Sequence, residues 1–223
     1  MTAVFDVYGT LLDLAALEVE LRRRFGEAGG PFLERWRRAQ LEYSWLHTLT
    51  GPVPPFEQVT AAAAAWALES LGLSGDPEEL TRLWRTALAA YPDVPAALDA
   101  LAALGVPRIV LSNGDGAALA AALTAAGVIG AFDRILSAGE AGAFKPDPRV
   151  YRLAVEALGV EPAAVWFFSS NFWDVFGAKR FGFRVAWVRR RPVPADHLGV
   201  RPDAVLASLA EAPALFARPS QDA

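Results

Sequence analysis

Three short apolar runs in the chain are each followed directly by a reactive side chain. Asp6 ends the first run, Ser112 and Asn113 end the second, and Ser169 ends the third. Apolar runs of this length that alternate with helical stretches predict buried parallel strands. Ligands bind beyond the carboxyl ends of the strands in such sheets, so we expect these side chains to share one site.

The side chains at this edge of the sheet would supply covalent chemistry on an anionic substrate. Asp6 is the candidate nucleophile, Lys145 is the cation expected beside it, and Asp174 is a second acid at the start of a helix. The hydroxyl and amide groups at the same edge are those of Thr10, Ser112, Ser169 and Asn171. A carboxylate nucleophile, a cation and several hydrogen-bond donors are the groups that such a reaction requires.

Each of these residues, taken alone, has an ordinary structural explanation. Asp6 and Thr10 could cap a turn, Lys145 could be a solvated loop residue, and Asp174 could be a helix N-cap. Chance is a poor explanation for the whole set, because several strand ends would have to acquire reactive groups independently.

The elements that would position these side chains form an α/β pattern. After residue 94, predicted strands alternate with helices, which indicates a Rossmann-like parallel sheet with helices on both faces. The predicted strands follow the opening strand at 108–111, 134–136, 165–168, 184–188 and, weakly, 204–205. The predicted helices cover 95–104, 116–126, 147–158, 173–181 and 206–216.

Residues 14–88 contain no convincing strand and predict four helices. The first is expected to stop at Gly29 and Gly30, and the next two cover 32–49 and 56–71. Asp76 is the expected N-cap of the fourth helix, which leads to Leu88. The sequence therefore predicts a core domain of residues 1–13 and 89–223 with a helical cap domain, 14–88, inserted after the first strand.

Composition limits the classes of partner and compartment. The chain has 223 residues, a formal net charge of −4, two histidines and no cysteine. These values predict a small-molecule partner rather than nucleic acid or a membrane, and exclude disulfides and thiolate metal sites. The start lacks the basic flank of a signal peptide and no apolar run approaches the ~20 residues that span a bilayer, so we expect a cytoplasmic protein.

Four segments together resemble the motifs of the haloacid dehalogenase superfamily. They read FDVYGTL (5–11), LSNG (111–114), FKP (144–146) and SSNFWD (169–174). The resemblance covers nearly the whole chain, including the helical insertion after the first motif. Through DVYGT (6–10), WRRAQLEY (36–43) and the fourth motif, the chain is most similar to the 2-haloacid dehalogenases that act on L-substrates.

This resemblance implies roles for residues that spacing alone does not select. Arg37 would accept the departing halide, although a cluster of arginines beside a tryptophan is usually a solvated helix face. Asn113 and Trp173 would complete the halide cradle, and Tyr151 matches a family position near the site. The expected substrate pocket is lined by Tyr8, Gln40, Leu41 and Phe56. The resemblance also implies a homodimer without metal or cofactor.

Tyr8 and Ser170 separate dehalogenation from phosphate transfer, the commonest activity of the superfamily. Superfamily phosphatases carry a second Asp where this chain has Tyr8, and a phenol with a pKa near 10 is a poor proton donor at neutral pH. Ser170 stands where a metal-binding acid is expected, which weakens a magnesium site. Because halide leaves without a proton, both differences favour carbon–halogen cleavage.

The mechanism expected from this resemblance is covalent. Asp6 would displace halide with inversion to form an ester, and water activated by Asp174 would release a 2-hydroxy acid. Ser169 and Asn171 would hold the Asp6 carboxyl group and stabilise the developing oxyanion. Thr10 and Ser112, with backbone amides near the first loop, would hold the substrate carboxylate. The alternatives are a phosphatase or phosphonate hydrolase on the same fold and a phosphoacceptor signalling or binding domain. Substrate chain length and preferred halogen, including fluoride, are not specified by the sequence.

Overall fold

The computed structural model describes residues 1–217 and contains a six-stranded sheet in which every neighbouring pair of strands is parallel. Its strands are β1 (Thr2–Phe5), β4 (Arg108–Ser112), β5 (Arg134–Ser137), β6 (Val165–Ser169), β7 (Arg184–Val188) and β8 (Ala204–Leu206). Their order in the sheet is β5-β4-β1-β6-β7-β8, so the first strand lies at the centre. Two further short strands, β2 (Leu12–Asp13) and β3 (Ala89–Ala90), pair antiparallel with each other.

Eight α-helices surround and extend this sheet within the described residues. They are α1 (Ala15–Phe25), α2 (Gly29–Thr50), α3 (Phe56–Leu71), α4 (Pro77–Thr86), α5 (Val94–Ala103), α6 (Gly116–Ala125), α7 (Pro148–Leu158) and α8 (Phe172–Phe181). The core is centred on β1, all four residues of which are buried. Phe5 stacks on Phe168 of the neighbouring β6 at a ring-centroid distance of 4.9 Å. Burial on both faces explains why β1 and β6 read as continuous apolar runs.

The predicted α/β fold is confirmed, with two local corrections. The prediction that α1 stops at Gly29 and Gly30 is wrong: α1 ends at Phe25, Gly26 adopts φ 58°, and α2 already begins at Gly29. Gly29 is required for another reason, because a Cβ there would lie 2.5 Å from the backbone nitrogen of Arg22. The predicted helix 206–216 is instead a 3-10 helix, Leu209–Leu215, which contains Pro213.

Helices α1 to α4 follow one another in the chain between β2 and β3. The ladder of β2 and β3 pairs Leu12 with Ala90 and Asp13 with Ala89, so the chain leaves and returns at the same point. The sequence pattern did not predict this ladder, because two-residue strands carry no periodicity. The division into a core domain and a cap domain stays a prediction, and α1–α4 are called the helical segment below.

Among residues 1–217, no helix is both long and apolar enough to cross a bilayer.

Candidate active site

Asp6 lies at the carboxyl end of the central strand, one residue beyond β1. Phe5 is in register with Val110 of β4 and with Phe168 of β6, so Asp6 is flanked by the ends of both neighbouring strands. Its backbone N–H donates to the carbonyl oxygen of Phe168 at 3.0 Å. The residue is 5% exposed, which places a carboxylate almost out of contact with bulk water.

The two carboxylate oxygens of Asp6 have different partners. Oδ2 accepts hydrogen bonds from Thr10 Oγ1 at 2.8 Å, Asn171 Nδ2 at 2.8 Å and Ser169 Oγ at 3.3 Å. Oδ1 accepts from Lys145 Nζ at 3.3 Å. Three neutral donors therefore converge on one oxygen, while the other retains a lone pair for a further interaction.

Lys145 lies between the two buried acids of the site. Its Nζ is 3.3 Å from Asp6 Oδ1 and 2.9 Å from Asp174 Oδ2, and its side chain is 1% exposed. The ammonium also lies 4.8 Å from the ring centroid of Phe167. A buried charge requires such partners, and here one cation neutralises two carboxylates in part.

Asp174 is held by Tyr151 as well as by Lys145. The Tyr151 hydroxyl donates to Asp174 Oδ1 at 2.7 Å, and both residues are completely buried. The pKa of Asp174 is raised from its ordinary 3.8 to about 6, because burial and the charge of Asp6 raise it by more than Lys145 and the hydrogen bond from Tyr151 lower it. Asp174 is therefore a buried acid whose protonation changes close to neutral pH, as a general base requires.

Arg37 brings a second cation toward this site from α2. Burial lowers the pKa of Arg37, while attraction to Asp6 and Asp174 opposes that shift, and the guanidinium stays protonated. Its Nη1 donates to Gln40 Oε1 at 2.7 Å. Gln40 in turn donates to Thr60 Oγ1 at 2.7 Å, so the side chain that orients Arg37 is anchored to α3.

Ser112 is the last residue of β4 and Asn113 follows it, on the side of Asp6 opposite β6, and both are buried. Asn113 Oδ1 accepts from the backbone N–H of Lys145 at 2.8 Å, which leaves its Nδ2 as the donor for a ligand. A Cβ on Gly114 would lie 2.9 Å from Leu119 Cδ2 and 3.0 Å from the Tyr8 hydroxyl, so the glycine lets both side chains pack closely against this loop.

The remaining predicted pocket residues lie on elements around this cluster. Tyr8 is buried against Trp84 of α4, and burial raises its pKa well above the usual range. Phe56 begins α3 and is 3% exposed, whereas Leu41 and Trp173 are half-buried. The structure therefore joins Asp6, Thr10, Lys145, Ser169, Asn171, Asp174 and Tyr151 directly by hydrogen bonds. The assignment of the others to the pocket stays a prediction.

Three residues near the site were not selected from the sequence. Trp84 packs between Tyr8 and Trp36, with the Arg37 guanidinium 5.8 Å from its ring centroid. Asp115 and Thr48 form hydrogen bonds between the helical segment and loops at the sheet edge. Asp115 reads in sequence as an N-cap of its own helix, α6, and gives no signal for a long-range contact.

The donor set does not fit a magnesium ion. The Lys145 ammonium lies where a cation between Asp6 and Asp174 would have to lie, and a second positive charge there would be repelled. Ser170 donates to the Gly9 carbonyl oxygen at 2.6 Å and supplies no charged ligand. Across residues 1–217, no group of three or more His, Asp or Glu side chains could hold a metal ion.

Comparison with known proteins matches residues 1–182 to the family described as haloacid dehalogenase-like hydrolase. The chain is 40% identical over 220 residues to (S)-2-haloacid dehalogenase 1 of Pseudomonas sp. (strain CBS-3), covering 98% of this chain and 97% of that protein. It is 43% identical over 189 residues to the (S)-2-haloacid dehalogenase of Xanthobacter autotrophicus, covering 84% of this chain and 74% of that protein.

A solved structure with a similar fold is that of L-2-haloacid dehalogenase from Xanthobacter autotrophicus with chloropropionic acid covalently bound. Its TM-score is 0.90 at 35% identity, and the match covers 96% of this chain and 97% of that one. These matches confirm the resemblance that the four motifs indicate.

Proposed function

The chain belongs to the haloacid dehalogenase-like hydrolase family, and we propose that it is an (S)-2-haloacid dehalogenase that converts L-2-haloalkanoic acids into 2-hydroxy acids and halide without a metal. The observation that carries this proposal is the buried Asp6 carboxylate beside Lys145, with Oδ2 occupied by three donors. The names of the relatives support the same activity.

The two carboxylate oxygens of Asp6 have different partners, so only Oδ1 is available as the nucleophile in the first step. Oδ1 attacks C2 of the substrate from the face opposite the halogen, the carbon–halogen bond breaks, and halide leaves with the bonding electrons. Configuration at C2 inverts and an ester forms through Oδ1. Exclusion of water matters here, because a hydrated carboxylate is a weak nucleophile. The solved relative that carries covalently bound chloropropionic acid supports this intermediate.

The second step uses the donors that surround Oδ2. Asp174 accepts a proton from water, and the resulting hydroxide attacks the carbonyl carbon of the Asp6 ester. Negative charge develops on Oδ2, where Thr10, Ser169 and Asn171 already donate, so the site is organised as an oxyanion hole. Collapse breaks the bond between Cγ and Oδ1, and the leaving alkoxide takes a proton from Asp174. The 2-hydroxy acid departs, and Asp6, which is left as a carboxylic acid, releases its proton to solvent and becomes the carboxylate nucleophile again.

Two further sets of groups would bind the two ends of the substrate, which are the halogen and the carboxylate. Arg37, Asn113 and Trp173 would surround the departing halide, and the free Nδ2 of Asn113 supports that role. Ser112 and backbone amides near the first loop would hold the substrate carboxylate. The Thr10 hydroxyl is less available for that purpose, because it donates to Asp6 and accepts from the Ser170 N–H at 2.8 Å.

Halide release from L-2-chloropropionate in the presence of EDTA tests the activity. We expect release from the L-enantiomer, none from the D-enantiomer, and no effect of the chelator. Asp6→Ala is the matched control and should be inactive, because the nucleophile is missing. Activity that required magnesium, or hydrolysis of phosphate esters instead, would contradict the proposal.

A single turnover in water labelled with heavy oxygen tests the ester separately. The label should appear in the side chain of Asp6, because water attacks the carbonyl carbon and its oxygen stays on the enzyme. Label found only in the 2-hydroxy acid would mean that water attacks C2 directly, and the covalent mechanism would be wrong.

We further propose that the protein is a cytoplasmic homodimer. Leu46 and Leu49 on the outer side of α2 are 49% and 81% exposed and are suited to an interface between copies. Sedimentation equilibrium measures the oligomeric state, and fractionation of cells that produce the protein measures its location. A monomer at micromolar concentration would contradict the proposed assembly.

A further inference from the structure

Few polar contacts join the helical segment to the part of the chain beyond residue 88. In residues 1–217, only two side chains form hydrogen bonds between these parts, those of Asp115 and Thr48. No ion pair among the described residues joins them. Two of the three bonds come from Asp115, so this residue dominates the polar connection.

Asp115 caps a helix that is distant in sequence. Its Oδ1 accepts from the backbone N–H of Phe56 at 3.0 Å, and its Oδ2 accepts from that of Glu57 at 2.8 Å. These two N–H groups open α3, and the residue before them, Pro55, has no side-chain acceptor. Asp115 does not cap α6, the helix that it precedes. A carboxylate at a helix N-terminus also interacts favourably with the helix dipole.

The residues that Asp115 holds lie against the catalytic lysine loop. The ring of Phe56 packs edge-on against that of Phe144 at a centroid distance of 5.4 Å. Phe144 precedes Lys145, and its backbone N–H donates to Thr48 Oγ1 of α2 at 2.9 Å. Asp115 itself is two residues from Asn113 in the same loop. One carboxylate thus ties a wall of the predicted pocket to the loop that carries the halide donor.

Burial of the site makes this connection important for catalysis. Asp6 is 5% exposed, and Lys145 and Asp174 are fully buried, so a substrate can enter only when the helical segment moves relative to the sheet. The contacts that cross between them set the population of the closed form. If the ligand is held only in the closed form, its apparent dissociation constant is the intrinsic one divided by the fraction of molecules that are closed. A smaller closed fraction therefore weakens binding.

We propose that Asp115 is a positioning residue that holds α3 against the sheet edge and thereby keeps the Asp6 site closed around its substrate. The consequence for turnover rests on the proposed dehalogenase function, whereas the effect on closure does not. Loss of the carboxylate leaves the first N–H groups of α3 without their acceptor. The helical segment then opens more often, and the pocket wall at Phe56 loses its fixed position.

Asp115→Ala tests this role through a split between KM and kcat for L-2-chloropropionate. We expect KM to rise about tenfold while kcat changes less than about twofold, because the closed complex is intact but less populated. Hydrogen exchange of peptides that cover residues 143–146 should also become faster, because Phe144 N–H is protected by Thr48 across the same interface.

Asp76→Ala is the matched control. Asp76 caps α4 through the N–H of Glu78 at 2.9 Å, but it does so within the helical segment. Both substitutions remove a helix cap and should lower the free energy of unfolding similarly. Only Asp115→Ala should change KM or exchange at residues 143–146. Asp115→Asn, which keeps one acceptor, should lie between wild type and Asp115→Ala and serves if the alanine variant does not fold.

The outcomes separate the two proposals. An Asp115→Ala protein with wild-type KM and wild-type exchange at residues 143–146 would overturn the positioning role, as would equal effects from Asp76→Ala. If wild type releases no halide, the proposed function is wrong, but the exchange comparison still decides whether Asp115 holds the two parts together.

Discussion

The two acids of the site are adapted to different tasks by their neighbours. Asp6 accepts bonds from three neutral donors and from Lys145, an environment suited to a carboxylate nucleophile. Asp174 is fully buried and its pKa is raised to about 6, mainly by loss of hydration. An acid with that pKa is ionised at neutral pH yet can return its proton to a leaving alkoxide.

Hydrolysis of the ester should therefore depend on pH through Asp174. As pH falls through about 6, Asp174 becomes protonated and cannot accept a proton from water. We expect the single-turnover hydrolysis rate to fall about tenfold per pH unit below this value. Rapid mixing with detection of the 2-hydroxy acid measures it, and an intermediate should accumulate in Asp174→Asn. A rate that stays constant from pH 7 to pH 5 would exclude Asp174 as the base.

Helix α8 shows how an element brings these groups together. Asp174 lies in its first turn, and Gly177 lies one turn later on the face that contacts Tyr151 and Pro146. A Cβ at position 177 would lie 2.5 Å from Pro146 Cβ and would clash with the Tyr151 hydroxyl. The glycine lets α8 approach α7 closely enough for Tyr151 to reach Asp174 Oδ1 at 2.7 Å.

Gly177→Ala should damage the enzyme although alanine favours helices. The added methyl group has no space, so we expect a loss of about 1–3 kcal/mol in the free energy of unfolding. Because the clash is with Tyr151, we also expect the ester hydrolysis rate to fall by about tenfold or more. Urea unfolding and single-turnover kinetics measure the two effects.

Gly116→Ala is the control for this change at another helical glycine. Among the residues that the structure describes, no heavy atom lies within 4 Å of a Cβ at position 116, apart from atoms of the two adjacent residues and of the backbone of its own helix. That variant should keep wild-type stability and rate. Equal losses in both variants would mean that the close approach of α8 and α7 is not the cause.

At the scale of the whole molecule, a cluster around the ion pair of Arg190 and Asp93 connects the loop after β1 to the end of the described chain. Arg190 donates through Nη2 to the Thr10 carbonyl oxygen at 2.8 Å and through Nη1 to both oxygens of Asp93, at 2.8 and 2.7 Å. Asp93 also accepts from Ser208 Oγ at 2.6 Å and from the N–H of Leu209 at 2.7 Å. The cluster joins the loop after β1, the start of α5, the segment after β7 and the final 3-10 helix.

This cluster should make stability depend on acid pH. Burial alone would raise the pKa of Asp93, but hydrogen bonds from Arg190, Ser208 and Leu209 outweigh it and hold the pKa below its usual value. A lowered pKa means that the stabilisation is complete above the unfolded-state value of about 3.9 and is lost as pH falls through the folded-state value.

We expect Asp93→Asn to lower the free energy of unfolding by about 2 kcal/mol at pH 7, because bonds from a charged donor are lost. The difference from wild type should shrink as pH falls below about 4. Urea unfolding followed by tryptophan fluorescence at several pH values measures it. Asp196→Asn, on an exposed loop, is the control and should match wild type at each pH. A difference for Asp93→Asn that does not change with pH would contradict the assignment.

Much of the fold is readable from local patterns in the sequence. Strands at 165–168 and 184–188 and helices at 56–71 and 173–181 agree with the structure to within a residue, because burial and periodicity act over short stretches. The start of α2 and the 3-10 helix near the end were mispredicted. Gly29 is needed for close packing against the backbone of Arg22, and Pro213 lies within the 3-10 helix. The residues next to them in sequence indicate neither effect.

The sequence by itself determined which reactive groups stand at the strand ends, because each is specified by its own residue type and its position after an apolar run. Only the tertiary structure decided how these groups pair. It assigned three donors to one oxygen of Asp6, placed Lys145 between two acids, and directed Asp115 to α3 rather than to its own helix. The physical reason is that, apart from Thr10, which is four residues from Asp6, these partners are 29 to 165 residues apart in the chain, and only packing of the folded elements brings them within hydrogen-bond distance.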